Sequence, residues 1–294
     1  MYRRIIVGFD GSEGGEDAIA LGRLIADRSG AELTIAGVMP NHGGRRDIER
    51  DVTGRVTRIA SEAGARAEVV SSGSPAHGLH DLAEDAQADL VVLGSSKATP
   101  GHVRPGRSAL ALLSGSPAAV AIAPVGYRYD NPALRVIGVA IDGSEQSHEA
   151  LRAAIDLAEG GTLRLISVAV ATNPVGPFWG YGSWGYGLQE LAEAAMDNAR
   201  DHLEQAVVEV PPELRPSTTV LDGHVATELR AEAEKGLDLL CLGSRNFGPL
   251  RRVLLGSVSA GVVKNAPCPV LVVPRAPVRE SDDEDVASSA GVSA

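Results

Sequence analysis

The chain repeats itself, and that repeat limits its architecture more than any other feature. Ile5-Ile6-Val7-Gly8-Phe9-Asp10-Gly11-Ser12-Glu13 returns as Ile137-Gly138-Val139-Ala140-Ile141-Asp142-Gly143-Ser144-Glu145, at an offset of 132. Asp89-Leu90-Val91-Val92-Leu93-Gly94-Ser95 returns as Asp238-Leu239-Leu240-Cys241-Leu242-Gly243-Ser244, at an offset of 149. Ala121-Ile122-Ala123-Pro124 returns as Leu271-Val272-Val273-Pro274, at an offset of 150. Three blocks in one order specify two homologous domains. The offset grows by 17 between the first two blocks, which places an insertion in the second copy. We expect domains at 1–126 and 133–276, jointed at Pro124, Gly126 and Asn131-Pro132, and a disordered acidic tail at 277–294 carrying Glu280-Ser281-Asp282-Asp283-Glu284-Asp285.

Within each copy, short apolar runs alternate with longer amphipathic stretches. The pattern predicts strands near 3–9, 32–38, 66–71, 89–94 and 118–123, with helices near 13–28, 47–63, 76–87 and 107–115. The second copy follows with strands near 134–141, 162–169, 216–221, 238–243 and 268–273, and helices near 145–159, 188–208, 225–236 and 257–265. Runs such as LVVLG and PVLVVP are apolar at consecutive positions, as in strands covered on both faces. The expected fold is therefore α/β: two tandem doubly wound domains, each a five-stranded parallel sheet flanked by helices, of Rossmann-like or flavodoxin-like type.

Charge and cysteine content exclude whole classes of partner. Lys and Arg total 27 against 38 Asp and Glu, a net charge of −11, which repels phosphate backbones and anionic lipid. No apolar stretch reaches the roughly 20 residues that cross a bilayer. The two cysteines, Cys241 and Cys268, make neither a disulfide framework nor a metal-ligand spacing. The start of the chain runs directly into a strand and has no signal-peptide pattern. The expectation is a cytoplasmic protein that engages neither nucleic acid nor membrane.

In an open parallel sheet, ligands bind beyond the carboxyl ends of the strands where strand order reverses. In the second copy those ends carry Asp142, Val168, Gly223 and Gly243. After Gly243 the sequence reads GSRNFGPLRRVLLGSVSAGVV. A glycine there lets backbone approach a ligand, and Ser257, read as an N-cap, opens a helix whose free amides favour phosphate. Asp142 reads equally well as a carboxylate capping the first helix. Glycine-rich turns are common in α/β proteins, and this one is neither a Walker loop nor a standard dinucleotide fingerprint.

Taken together, two VxxDGSE openings, DLxVxGS, a glycine-spaced loop, GSVS and APCPVLVVP resemble a tandem universal stress protein across residues 3–276. The resemblance implies the five-stranded sheets and, in one branch, ATP binding through G-2X-G-9X-G-(S/T). On the second copy this motif falls on Gly243, Asn246, Gly256 and Ser257, with Asn246 in place of the middle glycine. The resemblance further implies Asp142 near ribose or phosphates, the Val168 backbone at the adenine edge, and Ile141, Leu242 and Val258 beside them. Mg²⁺ would accompany the nucleotide. In the first copy Asp10, Val38, Leu93, Gly94, Gly106 and Ser108 match, but Lys97 replaces a glycine. There either one residue is missing before Gly106 or Arg107 replaces the last glycine; Lys97, Arg104 and Arg107 read as phosphate contacts or as solvated charges.

Three functions remain open: an ATP-binding stress-response or signalling module whose occupancy alters conformation or partner binding, a slow ATP hydrolase or phosphotransferase, and a ligand-free protein-interaction scaffold. The two domains are expected to pair through strands 118–123 and 268–273, and the whole chain to form a homodimer. His77 and His80, the histidines at helical spacing, read as lacking the partners for a metal site. Residues 178–186 hold five of the ten aromatic side chains. They read as a lid on a base, a subunit contact, or a loop folded over its own apolar surface.

Overall fold

The computed structural model describes residues 1–41, 46–96, 99–130, 132–170, 185–244 and 256–274. The first half runs β1 (Arg4–Gly8), α1 (Glu13–Ser29), β2 (Glu32–Pro40), α2 (Arg46–Ala63), β3 (Arg66–Ser72), α3 (Pro75–Asp85), β4 (Leu90–Gly94), α4 (Arg107–Leu113) and β5 (Ala119–Ala123). The second runs β6 (Val136–Ala140), α5 (Glu145–Leu157), β7 (Thr162–Ala169), α6 (Gly185–Glu209), β8 (Ser217–Asp222), α7 (Val225–Ala233), β9 (Leu239–Gly243), α8 (Ser257–Val263) and β10 (Val270–Val273). Three-residue 3₁₀ turns at Tyr127–Tyr129 and Pro212–Leu214 carry no periodic signal in the sequence. The tail at 277–294 and the segment 178–184 lie outside the described residues.

The strands form one sheet in the order β3-β2-β1-β4-β5-β10-β9-β6-β7-β8. Pairing within each half is parallel, whereas β10 meets β5 antiparallel with Leu271 opposite Ala121. All residues of β5 and β10 are buried, so pairing removes two apolar edges that would otherwise recruit other chains. The outer strands are instead polar, RAEVVSS in β3 and STTVLD in β8, and tolerate solvent.

One face of the sheet is covered by Leu21 and Ile25 of α1, Val56 of α2, Leu151 of α5 and Leu203 of α6. The other face packs Leu79 of α3, Leu112 of α4, Leu229 of α7 and Val262 of α8. Equivalent helices of the two halves thus share a face while their strands run in opposite directions. The halves are related by a pseudo-two-fold axis normal to the sheet, and their strand carboxyl ends open at opposite edges. Among the described residues no helix is long and apolar enough to cross a membrane.

The joint between the halves is clasped to α1. Asp17, fully buried, accepts hydrogen bonds from the backbone N–H of Gly126 (2.8 Å) and Arg128 (3.1 Å) and from the Arg128 guanidinium (3.0 Å). Arg128 also donates to the Glu13 carbonyl at 2.8 Å and lies 3.3 Å from Glu16. Gly126 sits at φ +81°, the left-handed turn that sends the chain onto this helix.

Both cysteines are buried and unbridged. Burial pushes the Cys268 thiol up to about 12, with the negative charge of Asp238 acting in the same direction, and raises Cys241 further. The folded chain therefore holds both thiols protonated and unreactive at neutral pH. A disulfide reagent should modify neither until denaturant is added, and then both. Because the folded values are raised, this stability is fully present below about 9, and it is lost as pH rises through about 12. The denaturant midpoint should accordingly fall above the lower of those values.

Candidate functional site

Strand order reverses between β6 and β9 in the second half, and between β1 and β4 in the first. A cavity opens at each of these places. That of the second half has a volume of about 150 Å³ and is lined by Ile141, Asp142 and Ser144 beyond β6, Ile166, Val168 and Val170 of and after β7, and Leu242 and Gly243 of β9. Ala140 of β6, Gln146 and Ser147 of α5, Val225 and Leu229 of α7, and Gly256, Val258 and Ser259 at α8 complete it. Of the residues singled out from the sequence, Ile141, Asp142, Val168, Leu242, Gly243, Gly256 and Val258 come together here. Asn246 lies outside the described residues, with the rest of 245–255.

The first-half cavity is larger, about 900 Å³, and includes Asp10, Val38, Leu93, Gly94, Gly106 and Ser108 among its lining residues. Arg107 lines it as well, and Arg104 does not; Lys97 lies outside the described residues. Pro75 and Leu79 in this half, like Val225 and Leu229 in the other, come from the helix after the third strand. The motif carries no trace of them. The signal that could have found them is topological: that helix begins at the same sheet edge.

The two aspartates build helix starts. Asp10 accepts at Oδ1 from the Ser12 N–H (2.9 Å) and hydroxyl (2.5 Å), and Ser12 caps α1 by accepting from the Gly15 N–H at 3.2 Å. Asp142 does the same through the Ser144 N–H (3.1 Å) and hydroxyl, and Ser144 accepts from the Ser147 N–H at 3.2 Å. Gly11 and Gly143 take φ +79° and +74° at the bend, which a side chain would strain. The DGS motif is thus a pre-shaped turn that presents its carboxylate at the cavity while capping the helix.

One sequence reading needs correction, and another gains a second reason. Ser257 is not the N-cap of α8: Gly256, extended at φ −64° and ψ 161°, holds that position, and Ser257 is the first helical residue. Glycine is among the residues tolerated at an N-cap, although it brings no side-chain acceptor to the free amides of the first turn. The strand-end glycines, which line the two cavities, also answer a packing demand. A Cβ on Gly243 would lie 2.5 Å from the Gln146 backbone, and one on Gly94 would overlap the Gly14 carbonyl. These positions admit the first turn of the helix packed against the strand end, as well as facing the cavity.

The first-half ambiguity also resolves. Gly106 is the N-cap of α4 as Gly256 is of α8, so the loop after β4 is one residue shorter and Arg107 stands where the second half has Ser257. His77 and His80 do have acidic neighbours, with Asp81 at 3.4 and 3.5 Å respectively. Even so, no group of three potential ligands that could hold a metal ion occurs among the described residues.

Comparisons with known proteins agree over both halves of the chain. A family model described as the universal stress protein family matches residues 1–124 and 133–274. A universal stress protein of Mycobacterium tuberculosis is 29% identical over 295 residues, covering 92% of this chain and 99% of its own. One from Methanocaldococcus jannaschii is 35% identical over 144 residues, covering 47% of this chain and 80% of its own. Among solved structures, a universal stress protein from Archaeoglobus fulgidus superposes with a TM-score of 0.66 at 19% identity, covering 93% of this chain and 98% of that one.

Proposed function

The chain belongs to the universal stress protein family, and on that premise we propose that it binds an adenine nucleotide, ATP with Mg²⁺, in the cavity of its second half. The observation that carries this reading is the convergence of β6, β7, β9 and α8 on one cavity at the point of strand reversal. Val168, Leu242 and Val258 supply an apolar wall of the kind a base occupies. The Asp142–Ser144 turn supplies the polar side, where hydroxyls of a ribose find an acceptor. The spacing Gly243, Asn246, Gly256, Ser257 fits the nucleotide-binding branch that the sequence resembles.

Occupancy would favour one arrangement of the loops over another, and partners in a stress response would read that arrangement. The shift can be no larger than the difference in ATP affinity between the two arrangements. A cytoplasmic location and association of the whole chain into a homodimer belong to the same reading.

A second reading rests on size. Ligand cavities usually hold roughly 300–1,000 Å³. The first half, at about 900 Å³, has that room, and Arg107 offers it a cation at the start of α4.

Val168→Trp separates the two. The indole fills the second cavity and leaves the first unchanged. ATP affinity should fall by roughly 10- to 100-fold, and because Val168 also packs on the core beside the cavity, the chain should melt somewhat lower while staying cooperatively folded at assay temperature. Unchanged affinity would move the nucleotide to the first half.

A further inference from the structure

The strap that borders the first cavity is held by the other half of the molecule. Residues 99–106 lead into α4; Gly106 at their end, Arg107 after it and Ser96 near the end of β4 line that cavity. The strap is tied within its own half: the Arg104 N–H donates to Ser95 Oγ at 2.9 Å, and the Gly101 N–H donates to the Val125 carbonyl at 2.8 Å. At its middle it leaves its own half. The Val103 N–H donates to the Ala266 carbonyl and the Val103 carbonyl accepts from the Asn265 N–H, both at 2.8 Å. Val103 is buried, 1% exposed, in the same apolar cluster as Val262, Val263 and Ala266.

Asn265 and Ala266 form the turn that ends α8, with Asn265 in the left-handed region at φ +74°. The beginning of α8 is a wall of the second cavity, through Val258 and Ser259. A single short helix therefore has one end in the second cavity and the other hydrogen-bonded to the strap of the first. Coupling between sites can be carried by a rigid element of this kind where it has two discrete arrangements.

We propose that α8 couples the two sites: ligand in the second cavity sets the geometry of the strap over the first, through Asn265, Ala266 and Val103. This rests on the second cavity being a nucleotide site, and it gives that site a regulatory target inside the same chain. By linkage the effect is reciprocal, so a ligand held under the strap alters affinity in the second cavity by the same factor.

Hydrogen exchange of the intact chain, with and without Mg-ATP, tests it. The expected result, with ATP near its dissociation constant for the wild-type chain, is slower exchange in both 256–263 and 99–106, and both effects fall together in Val168→Trp. Slowing confined to 256–263 overturns the coupling and leaves the nucleotide site standing. Slowing of 99–106 that persists in Val168→Trp also overturns it, since ATP would then be touching the strap directly. If neither segment responds at millimolar ATP, the nucleotide reading fails, and the coupling is judged on the ligand-free chain. There Val103→Pro, which deletes the donor to Ala266, should speed exchange of 256–263 by about tenfold, the equivalent of one backbone hydrogen bond. Val103→Ala keeps both bonds and should have a smaller effect. Equal exchange in wild type and both variants would overturn the coupling outright.

Discussion

Gly94→Ala should cost this chain a large part of its stability, with Gly243→Ala following closely, whether or not any ligand is present. A Cβ at position 94 runs into the Gly14 carbonyl, and one at 243 comes within 2.5 Å of the Gln146 backbone. Neither obstacle is the end of a flexible side chain that could swing aside. The first turn of α1 or α5 must move off the sheet, and the cost is roughly 3 kcal/mol, the upper end of the usual range for overpacked cores. Chemical denaturation of the two variants would measure it. A midpoint within a few tenths of a kcal/mol of wild type would show that strand and helix are not in such close contact. The same result bears on how the site is probed. Loss of nucleotide binding in a Gly243 variant would report a displaced helix, so the cavity has to be tested from β7, at Val168, instead.

The second large effect lies at the joint. Asp17→Ala leaves the Arg128 guanidinium, 16% exposed, without its closest carboxylate, and leaves the backbone amides of Gly126 and Arg128 without an acceptor. Removing one partner of a buried ion pair costs about 3–5 kcal/mol. Glu13 and Glu16 remain near Arg128, which places the expected loss toward the lower end. Limited proteolysis should then cut near Tyr127–Tyr129 before either half is degraded. Wild-type stability together with wild-type resistance at that segment would remove the clasp from the forces joining the halves.

Neither effect is legible in the sequence, for a shared reason. Asp17 and Arg128 are 111 residues apart, and nothing in the run GGEDAIALGRL marks this aspartate as buried rather than as one of the acidic residues of an exposed first turn. A glycine at a strand end reads alike whether a ligand or a helix lies against it. Local patterns fare better because their physics is local. LVVLG is apolar at every step because β4 is covered on both faces, and DGSE at each domain start is an Asx-type turn followed by a serine cap. The pairing of β5 with β10 follows from two fully apolar strands that would otherwise be left as edges.

The site divides along the same line. Residues adjacent to a strand end, such as Asp142 and Leu242, follow from topology once the strands are known. Val225 and Leu229 enter the cavity from a helix on the opposite face of the sheet from α5, and no motif spacing connects them to Gly243. The bonds of Val103 to Asn265 and Ala266 are more remote still, since they join two copies of the repeat.

The most direct measurement is a calorimetric titration of the intact chain with ATP and Mg²⁺, read for stoichiometry and repeated on Val168→Trp. One site per chain, weakened in the variant by roughly 10- to 100-fold, is the expected result and puts the nucleotide in the second half. No heat at millimolar ATP, together with no nucleotide released when the purified chain is denatured, would contradict nucleotide binding altogether.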